Sequence, residues 1–163
     1  MNLSTSGTLI NEGSTLVLSG TFTDSDAADT HTVVINWGDG TASTNLNLVA
    51  GMNALSASHQ YLDDNPTGTA QDIYNISVTI TDNHAASATG NTTITVRNVA
   101  PVWQSVTPSP ASLNVGGSVT LNGSFTDPGT QDTHTVVINW GDGTANTTLN
   151  LAAGILSFAP THQ

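Results

Sequence analysis

Apolar and polar residues alternate along most of this chain with a period of two, the pattern of β-strands that bury one face. Over Ser14–Phe22 the alternation predicts a strand with Leu16, Leu18 and Phe22 in the core and a bulge at Gly20. The same pattern predicts four more strands, at Thr32–Trp37, Thr44–Leu48, Ile73–Ile80 and Ala88–Val96. No window repeats its apolar residues at a helical period, so we expect essentially no helix.

Polar stretches separate the predicted strands. Gly38-Asp39-Gly40 follows one strand and predicts a tight turn, because glycine adopts positive φ at little cost. Gly51–Ser58 predicts an irregular connection. Short strands with polar turns every ~8–12 residues are typical of antiparallel β-sandwiches, so the sequence predicts an all-β fold.

The strand pattern occurs twice. Asp29–Ala42 and Asp132–Ala145 have the same fourteen residues, 103 positions apart. A repeat of this length indicates tandem domains. We expect one complete domain at 1–99 and a second at 100–163, which stops 37 residues short and lacks its last two strands. Pro101 stiffens the short linker, so the domains are expected to form a semi-rigid string.

Composition narrows the class of partner. The chain has 12 acidic residues, one arginine (Arg97) and no lysine, for a net charge of −11. Such a charge repels phosphates and anionic lipid, which argues against nucleic-acid and membrane-surface partners. No stretch approaches the ~20 apolar residues that span a membrane, so no direct membrane insertion is expected. There is no cysteine, so no disulfide supports the fold.

Three markers in the first repeat resemble those of PKD (polycystic kidney disease) repeats. They are Trp37-Gly38-Asp39-Gly40-Thr41, His59-Gln60-Tyr61 and the strand Tyr74–Asp82, and the first recurs at Trp140–Thr144. The resemblance implies immunoglobulin-like antiparallel β-sandwiches in tandem, one complete and one truncated, of the kind found in bacterial surface or secreted proteins. The first marker lacks two residues that the commonest form has after the tryptophan, and the stretch 48–72 is longer than usual.

An acidic loop offers candidate metal ligands. Asp24, Asp26 and Asp29 lie within six residues, and Ca²⁺ takes six to eight oxygen ligands from such loops. The spacing is not that of an EF-hand. The resemblance implies Ca²⁺ binding too, because some PKD domains bind it. The second repeat keeps Asp127 and Asp132 but lacks the middle carboxylate.

The Gly-Asp-Gly aspartates, Asp39 and Asp142, have two interpretations. Each could ligate a cation or act as an acid, but we expect each to accept backbone N–H bonds and fix its turn. The repeated histidines His31, His134, His59 and His162 could bind metal, but we expect packing histidines bonded to the Asp-Gly turn. Trp37 and Trp140 are expected in the core. Trp103 is expected in the linker, packed at the domain junction or stacked on a sugar ring.

No nucleophile–base pair, phosphate loop or zinc ligand set is evident, so we do not expect an enzyme. The resemblance implies a non-catalytic structural or adhesion module of a large extracellular or surface-anchored bacterial protein. Its partners would be neighbouring repeats, other surface proteins or polysaccharide, and no cofactor would be required. The alternative is an accessory domain of a secreted hydrolase, of protease or chitinase type, that helps engage an insoluble polymer.

Residues 102–163 alone are expected to be unstable or to oligomerise. Without the last two strands, Phe125, Val136, Ile138 and Trp140 should be partly uncovered, and unpaired strand edges favour association. Thermal melts of this segment at several concentrations check the expectation. A sharp, concentration-independent melt of a monomer would contradict it.

Overall fold

A computed structural model describes residues 1–65 and 67–163, which form two compact units, Met1–Asn98 and Val99–Gln163. The described residues form fourteen strands and no helix, which confirms the predicted all-β fold.

The first unit is a sandwich of two sheets. Its three-stranded sheet has the order β1-β3-β6 and consists of β1 (Asn2–Thr5), β3 (Thr15–Thr21) and β6 (Ala54–Gln60). Its five-stranded sheet has the order β2-β8-β7-β4-β5 and consists of β2 (Leu9–Asn11), β4 (His31–Asn36), β5 (Thr44–Leu48), β7 (Gln71–Asp82) and β8 (Ser87–Arg97). All neighbouring strands are antiparallel except the pair β2 and β8.

The core lies between these sheets and is formed by the inward residues of alternating strands. Leu16 and Leu18 on β3 are fully buried, as predicted. From the facing sheet come Val33 and Ile35 on β4, and the alternating positions of β7, Tyr74, Ile76, Val78 and Ile80. Phe22 is only partly buried and packs against the core edge. Because one residue in two is buried along β3 and β4, the sequence alternation was sufficient to place their part of this core.

Strand β6 corrects the prediction of an irregular segment at Gly51–Ser58. It runs over Ala54–Gln60 and pairs with the whole length of β3, from Thr15 opposite Gln60 to Thr21 opposite Ala54. Leu55 is the only large apolar residue in β6 and is 5% exposed. Backbone pairing to a well-formed neighbour therefore specifies this strand, and alternation of its own side chains contributes little.

Gly20 does not form the predicted bulge. Both pairings of β3 run through Gly20 without a change of register. A Cβ atom at this position would lie 2.8 Å from Leu3 Cδ2 and 3.2 Å from Leu55 Cγ. The absence of a side chain thus allows the strands on either side to place large residues against the backbone.

The second unit contains six strands. They are β9 (Val102–Ser109), β10 (Val119–Thr126), β11 (His134–Ile138), β12 (Thr147–Leu151), β13 (Ser157–Phe158) and β14 (Thr161–His162). Strand β10 pairs with β9, β13 and β14, and β11 pairs with β12. Strand β9 includes Trp103 and Pro108, so the prediction of a linker there was wrong. Proline is tolerated because β9 is an edge strand, paired only with β10 among the described residues.

Strand β11 has fewer neighbours than its counterpart β4. Within the described residues β11 pairs only with β12, whereas β4 pairs with both β5 and β7. Phe125, Val136 and Ile138 are nevertheless only 6–8% exposed, so the expectation that they are uncovered was wrong. Trp37 is buried in the core, as predicted. Trp140 is partly exposed, so its predicted place in the core was wrong, and the expectation that it is partly uncovered was right.

Gly38→Ala should destabilise the first unit more than Gly40→Ala. Both residues have positive φ, which costs an alanine about 1–2 kcal/mol. A Cβ on Gly38 would also lie 2.5 Å from the Asn75 backbone oxygen on β7, whereas one on Gly40 meets nothing within 4 Å. Residue-resolved amide hydrogen exchange in the full chain measures the free energy of unfolding of the first unit. This free energy should fall by about 1–3 kcal/mol more in Gly38→Ala than in Gly40→Ala.

Gly141 supplies a matched control for this comparison. It is the counterpart of Gly38, with φ of 79°, but a Cβ there meets nothing within 4 Å. Gly141→Ala should therefore lower the free energy of unfolding of the second unit only as much as Gly40→Ala lowers that of the first unit. Equal losses for Gly38→Ala and Gly141→Ala would contradict the assignment of the extra cost to β7.

Candidate functional site

A tryptophan, an aspartate and a histidine occur at the same spacing in both repeats, and in the first unit these three residues form a compact contact. The Trp37 indole stacks on the His59 imidazole, with ring centroids 4.8 Å apart and an interplanar angle of 10°. His59 Nε2 lies 2.6 Å from Asp39 Oδ2. Trp37 and Asp39 follow β4, and His59 belongs to β6, so this Trp37–His59–Asp39 latch joins the two sheets.

The second carboxylate oxygen of Asp39 fixes the glycine turn. Asp39 Oδ1 accepts hydrogen bonds from the Thr41 backbone N–H at 3.1 Å and from Thr41 Oγ1 at 2.6 Å. Asn36 Oδ1 accepts a further bond from Gly38 N at 2.9 Å. Burial works to raise the pKa of Asp39, but the bonds from Thr41 and His59 outweigh it and lower the pKa below the ordinary 3.8. Asp39 is thus held as a carboxylate with both oxygens engaged.

Tyr61 completes the contact beneath the latch. Its hydroxyl donates to the Trp37 carbonyl oxygen at 2.9 Å, and its ring meets the His59 ring edge-on at 4.9 Å. Burial, with the negative charge of Asp39 nearby, raises the pKa of Tyr61 far above its usual value. The phenol therefore stays protonated and serves as a hydrogen-bond donor.

The second unit builds the same latch from its own residues. The rings of Trp140 and His162 stack at 4.6 Å and 8°, and His162 Nε2 lies 2.8 Å from Asp142 Oδ2. Thr144 donates to Asp142 Oδ1 as Thr41 does to Asp39. The bond from His162, followed by those from Thr144, lowers the pKa of Asp142. Recurrence of the full geometry indicates that the sequence motif specifies a structural contact.

The chemistry available to the latch is limited by its own bonds. An aspartate–histidine pair can act as a general base when it faces a nucleophile. Here the Thr41 hydroxyl donates to Asp39, and the Tyr61 hydroxyl donates to a backbone carbonyl. Trp37 covers one face of the imidazole. The arrangement can hold two sheets together and fix a turn.

The predicted calcium ligands separate in the structure. Carboxylate oxygens of Asp24 and Asp29 lie within 4.8 Å of each other and of Asp82, which ends β7. Asp26 is not part of this group, and its Oδ1 accepts the Ala28 backbone N–H at 2.9 Å. The sequence did not reveal Asp82, because it lies 53 positions beyond Asp29 and only the pairing of β4 with β7 brings them together.

Protein donors already engage the carboxylates of this group. Asp24 accepts the Asp26 N–H on Oδ1 and His31 Nε2 on Oδ2, each at 2.9 Å, and these bonds lower its pKa. Asp29 lies 3.1 Å from His84 Nδ1. Asp82 Oδ1 accepts the backbone N–H groups of two residues in the following turn. The group therefore has a structural explanation that needs no ion.

The histidine of this region recurs in the second unit. His134 Nε2 lies 2.9 Å from Asp127 Oδ2, as His31 lies from Asp24. Each imidazole also meets a phenylalanine ring edge-on, Phe125 and Phe22 respectively. His31 and His134 thus bond the loop aspartate, whereas the sequence prediction had assigned all four repeated histidines to the Asp-Gly turn.

Sequence reasoning missed the partner of each latch tryptophan. Trp37 Nε1 donates to Thr44 Oγ1, and Trp140 Nε1 donates to Thr147 Oγ1, both at 2.9 Å. The signal was present, because a threonine stands seven residues after each tryptophan. A buried indole N–H normally has a hydrogen-bond partner, so the recurring hydroxyl was a candidate.

No protein-family model matches the chain, and no curated protein matches it. Among the described residues, no helix is long and apolar enough to cross a membrane.

Asp39→Asn should destabilise the first unit by about 1–3 kcal/mol near neutral pH, the usual worth of hydrogen bonds to a charged group. Because the folded pKa of Asp39 is lowered, its contribution is present above pH 3.8 and is lost as the pH falls through the folded pKa. Thermal melts between pH 2 and 7 should show the wild-type and variant curves converging below pH 4. A constant difference across this range would contradict the latch as described.

Proposed function

We propose that this chain is a non-catalytic structural and adhesion module of a large extracellular or surface-anchored bacterial protein. The observation that carries the proposal is the latch. Trp37, Asp39 and His59 are the residues most suggestive of chemistry, and they are engaged in structural contacts with one another. The remaining side-chain hydrogen bonds of Trp37 and Asp39 are to Thr44 and Thr41. Their counterparts in the second unit do the same. A module whose signature residues stabilise the sandwich is suited to spacing and presentation.

Surface chemistry supports the same proposal. Twelve acidic residues against a single arginine give a net charge of −11, which favours solubility and disfavours binding to nucleic acid or anionic lipid. The polar positions are filled mainly by uncharged threonine, serine and asparagine. The partners proposed are neighbouring repeats of the same chain, other surface proteins and polysaccharide.

No cofactor is required for a spacing role. Calcium binding by Asp24, Asp26 and Asp29 stays a prediction, as does membership in the PKD family. The hydrogen bonds that Asp24 accepts from Asp26 and His31 account for its carboxylate without an ion.

An accessory role beside a secreted hydrolase is the second candidate, and Trp103 favours it. This tryptophan lies on the edge strand β9 and is 58% exposed. Its ring meets Phe125 and Phe158 edge-on, each at 5.9 Å, which holds the indole in place. An exposed, oriented indole can stack on a sugar ring of an insoluble polymer.

Sedimentation with insoluble chitin, cellulose and collagen distinguishes the two roles. The spacing role predicts that the full chain stays in the supernatant with each polymer. Retention that is lost in Trp103→Ala would favour the accessory role and contradict a role in spacing alone. Val106→Ala is the matched control, because Val106 lies on the same strand and is 49% exposed.

A further inference from the structure

Three buried acidic side chains meet near the ends of β2 and β6 in the first unit. Glu12 follows β2, and Asp63 and Asp64 lie in the loop after β6. Their carboxylate oxygens lie within 4.8 Å of one another. The three residues are 2%, 6% and 4% exposed, respectively. These carboxylates form an acidic pocket that neither the latch nor the Asp24 loop includes.

Backbone hydrogen bonds hold this acidic pocket in place. Glu12 N donates to the Arg97 carbonyl oxygen at 2.9 Å, and Gly13 N donates to the Tyr61 carbonyl oxygen at 2.7 Å. The buried Tyr74 hydroxyl donates to the Asp63 carbonyl oxygen at 3.1 Å. The carboxylates are therefore positioned by the sandwich itself, which is the preorganisation that an ion site requires.

Among the described residues, Asp63 and Asp64 lack the histidine partners that other carboxylates of the chain have. Asp63 accepts hydrogen bonds from Asn65, at 3.1 Å from the backbone N–H to Oδ1 and at 2.9 Å from the side-chain amide to Oδ2. Histidines form ion pairs with Asp24, Asp29, Asp39, Asp127 and Asp142. None of these pairs involves Asp63 or Asp64. Buried carboxylates at this separation repel one another unless a cation or a proton intervenes.

Asp64 gives a second, independent observation that points to a ligand. Its Oδ2 atom is buried and has no hydrogen-bond partner in the described structure, although the residue is only 4% exposed. Buried carboxylate oxygens almost always have a partner, because the desolvation cost is otherwise unmet.

We propose that Glu12, Asp63 and Asp64 bind a calcium ion. The donors are hard oxygens without histidine or cysteine, a set that suits Ca²⁺ and not zinc or copper. Three carboxylates supply up to six oxygens, within the six to eight that Ca²⁺ takes, and flexible bidentate geometry suits it better than Mg²⁺. The site does not depend on whether the module spaces other domains or engages a polymer.

The repeat explains why the motif analysis did not find this site. The position equivalent to Glu12 in the second copy is Val115, which is exposed. The site is therefore a property of the first copy, and comparison of the repeats gives no signal for it.

Calcium titration of the full chain tests the proposal. After removal of metal with EDTA, calorimetry should show one binding event for CaCl₂, and millimolar Ca²⁺ should raise the melting temperature because the ion binds only the folded state. Asp64→Asn and, separately, Glu12→Gln should weaken binding at least about tenfold, since affinity follows ligand charge. In EDTA, Asp64→Asn should melt above wild type, and this order should reverse in Ca²⁺.

Asp24→Asn is the matched control, because it removes a carboxylate from the other acidic group and should leave calcium binding intact. NaCl at equal ionic strength controls for screening. The proposal would be overturned if the wild type showed neither heat nor a melting shift with millimolar Ca²⁺. It would also be overturned if Asp24→Asn abolished binding while Asp64→Asn and Glu12→Gln retained it.

Discussion

The contact on which the first sandwich depends is the latch between its sheets. The stacked rings of Trp37 and His59, with the bond from His59 to Asp39, join the end of β4 to β6. The chain has no cysteine, so no disulfide can make this connection. The stacked rings contribute packing, and the hydrogen bond to the carboxylate fixes the orientation of the imidazole. Tyr61 adds a hydrogen bond to the Trp37 carbonyl oxygen. The second unit repeats the pair with Trp140 and His162.

A second constraint is the shortage of positive charge. With no lysine and one arginine, the chain must satisfy its aspartates with histidines and backbone N–H groups. Asp24, Asp39, Asp127 and Asp142 each have a histidine within 2.9 Å. Asp64 is the contrast, because one of its buried oxygens is unpartnered. Buried carboxylates need hydrogen-bond donors or positive charge, and this need explains both the latch and the proposal of a cation at the acidic pocket.

Sequence reasoning placed the strands that bury one face and failed where other forces specify a strand. β4 and β7 were predictable because Val33, Ile35, Ile76 and Val78 alternate with polar residues. β6 has one large apolar residue, and β9 carries Pro108, so neither shows the pattern; pairing with β3 and β10 specifies them. The glycine turn was predictable from composition. The bond between His31 and Asp24 could not be predicted from the sequence. The clustering of Glu12 with Asp63 and Asp64 could not be predicted either. Both depend on how the strands and loops are arranged in three dimensions.

The most direct measurement of the central claim is a double-mutant cycle on Asp39→Asn and His59→Gln, with unfolding of the first unit followed in the full chain. The account predicts that the two substitutions are non-additive, with a coupling free energy of about 1 kcal/mol or more, because each removes the same bond between the sheets. Additivity within about 0.3 kcal/mol would contradict it, since the pair would then contribute nothing as a pair to holding the sandwich together.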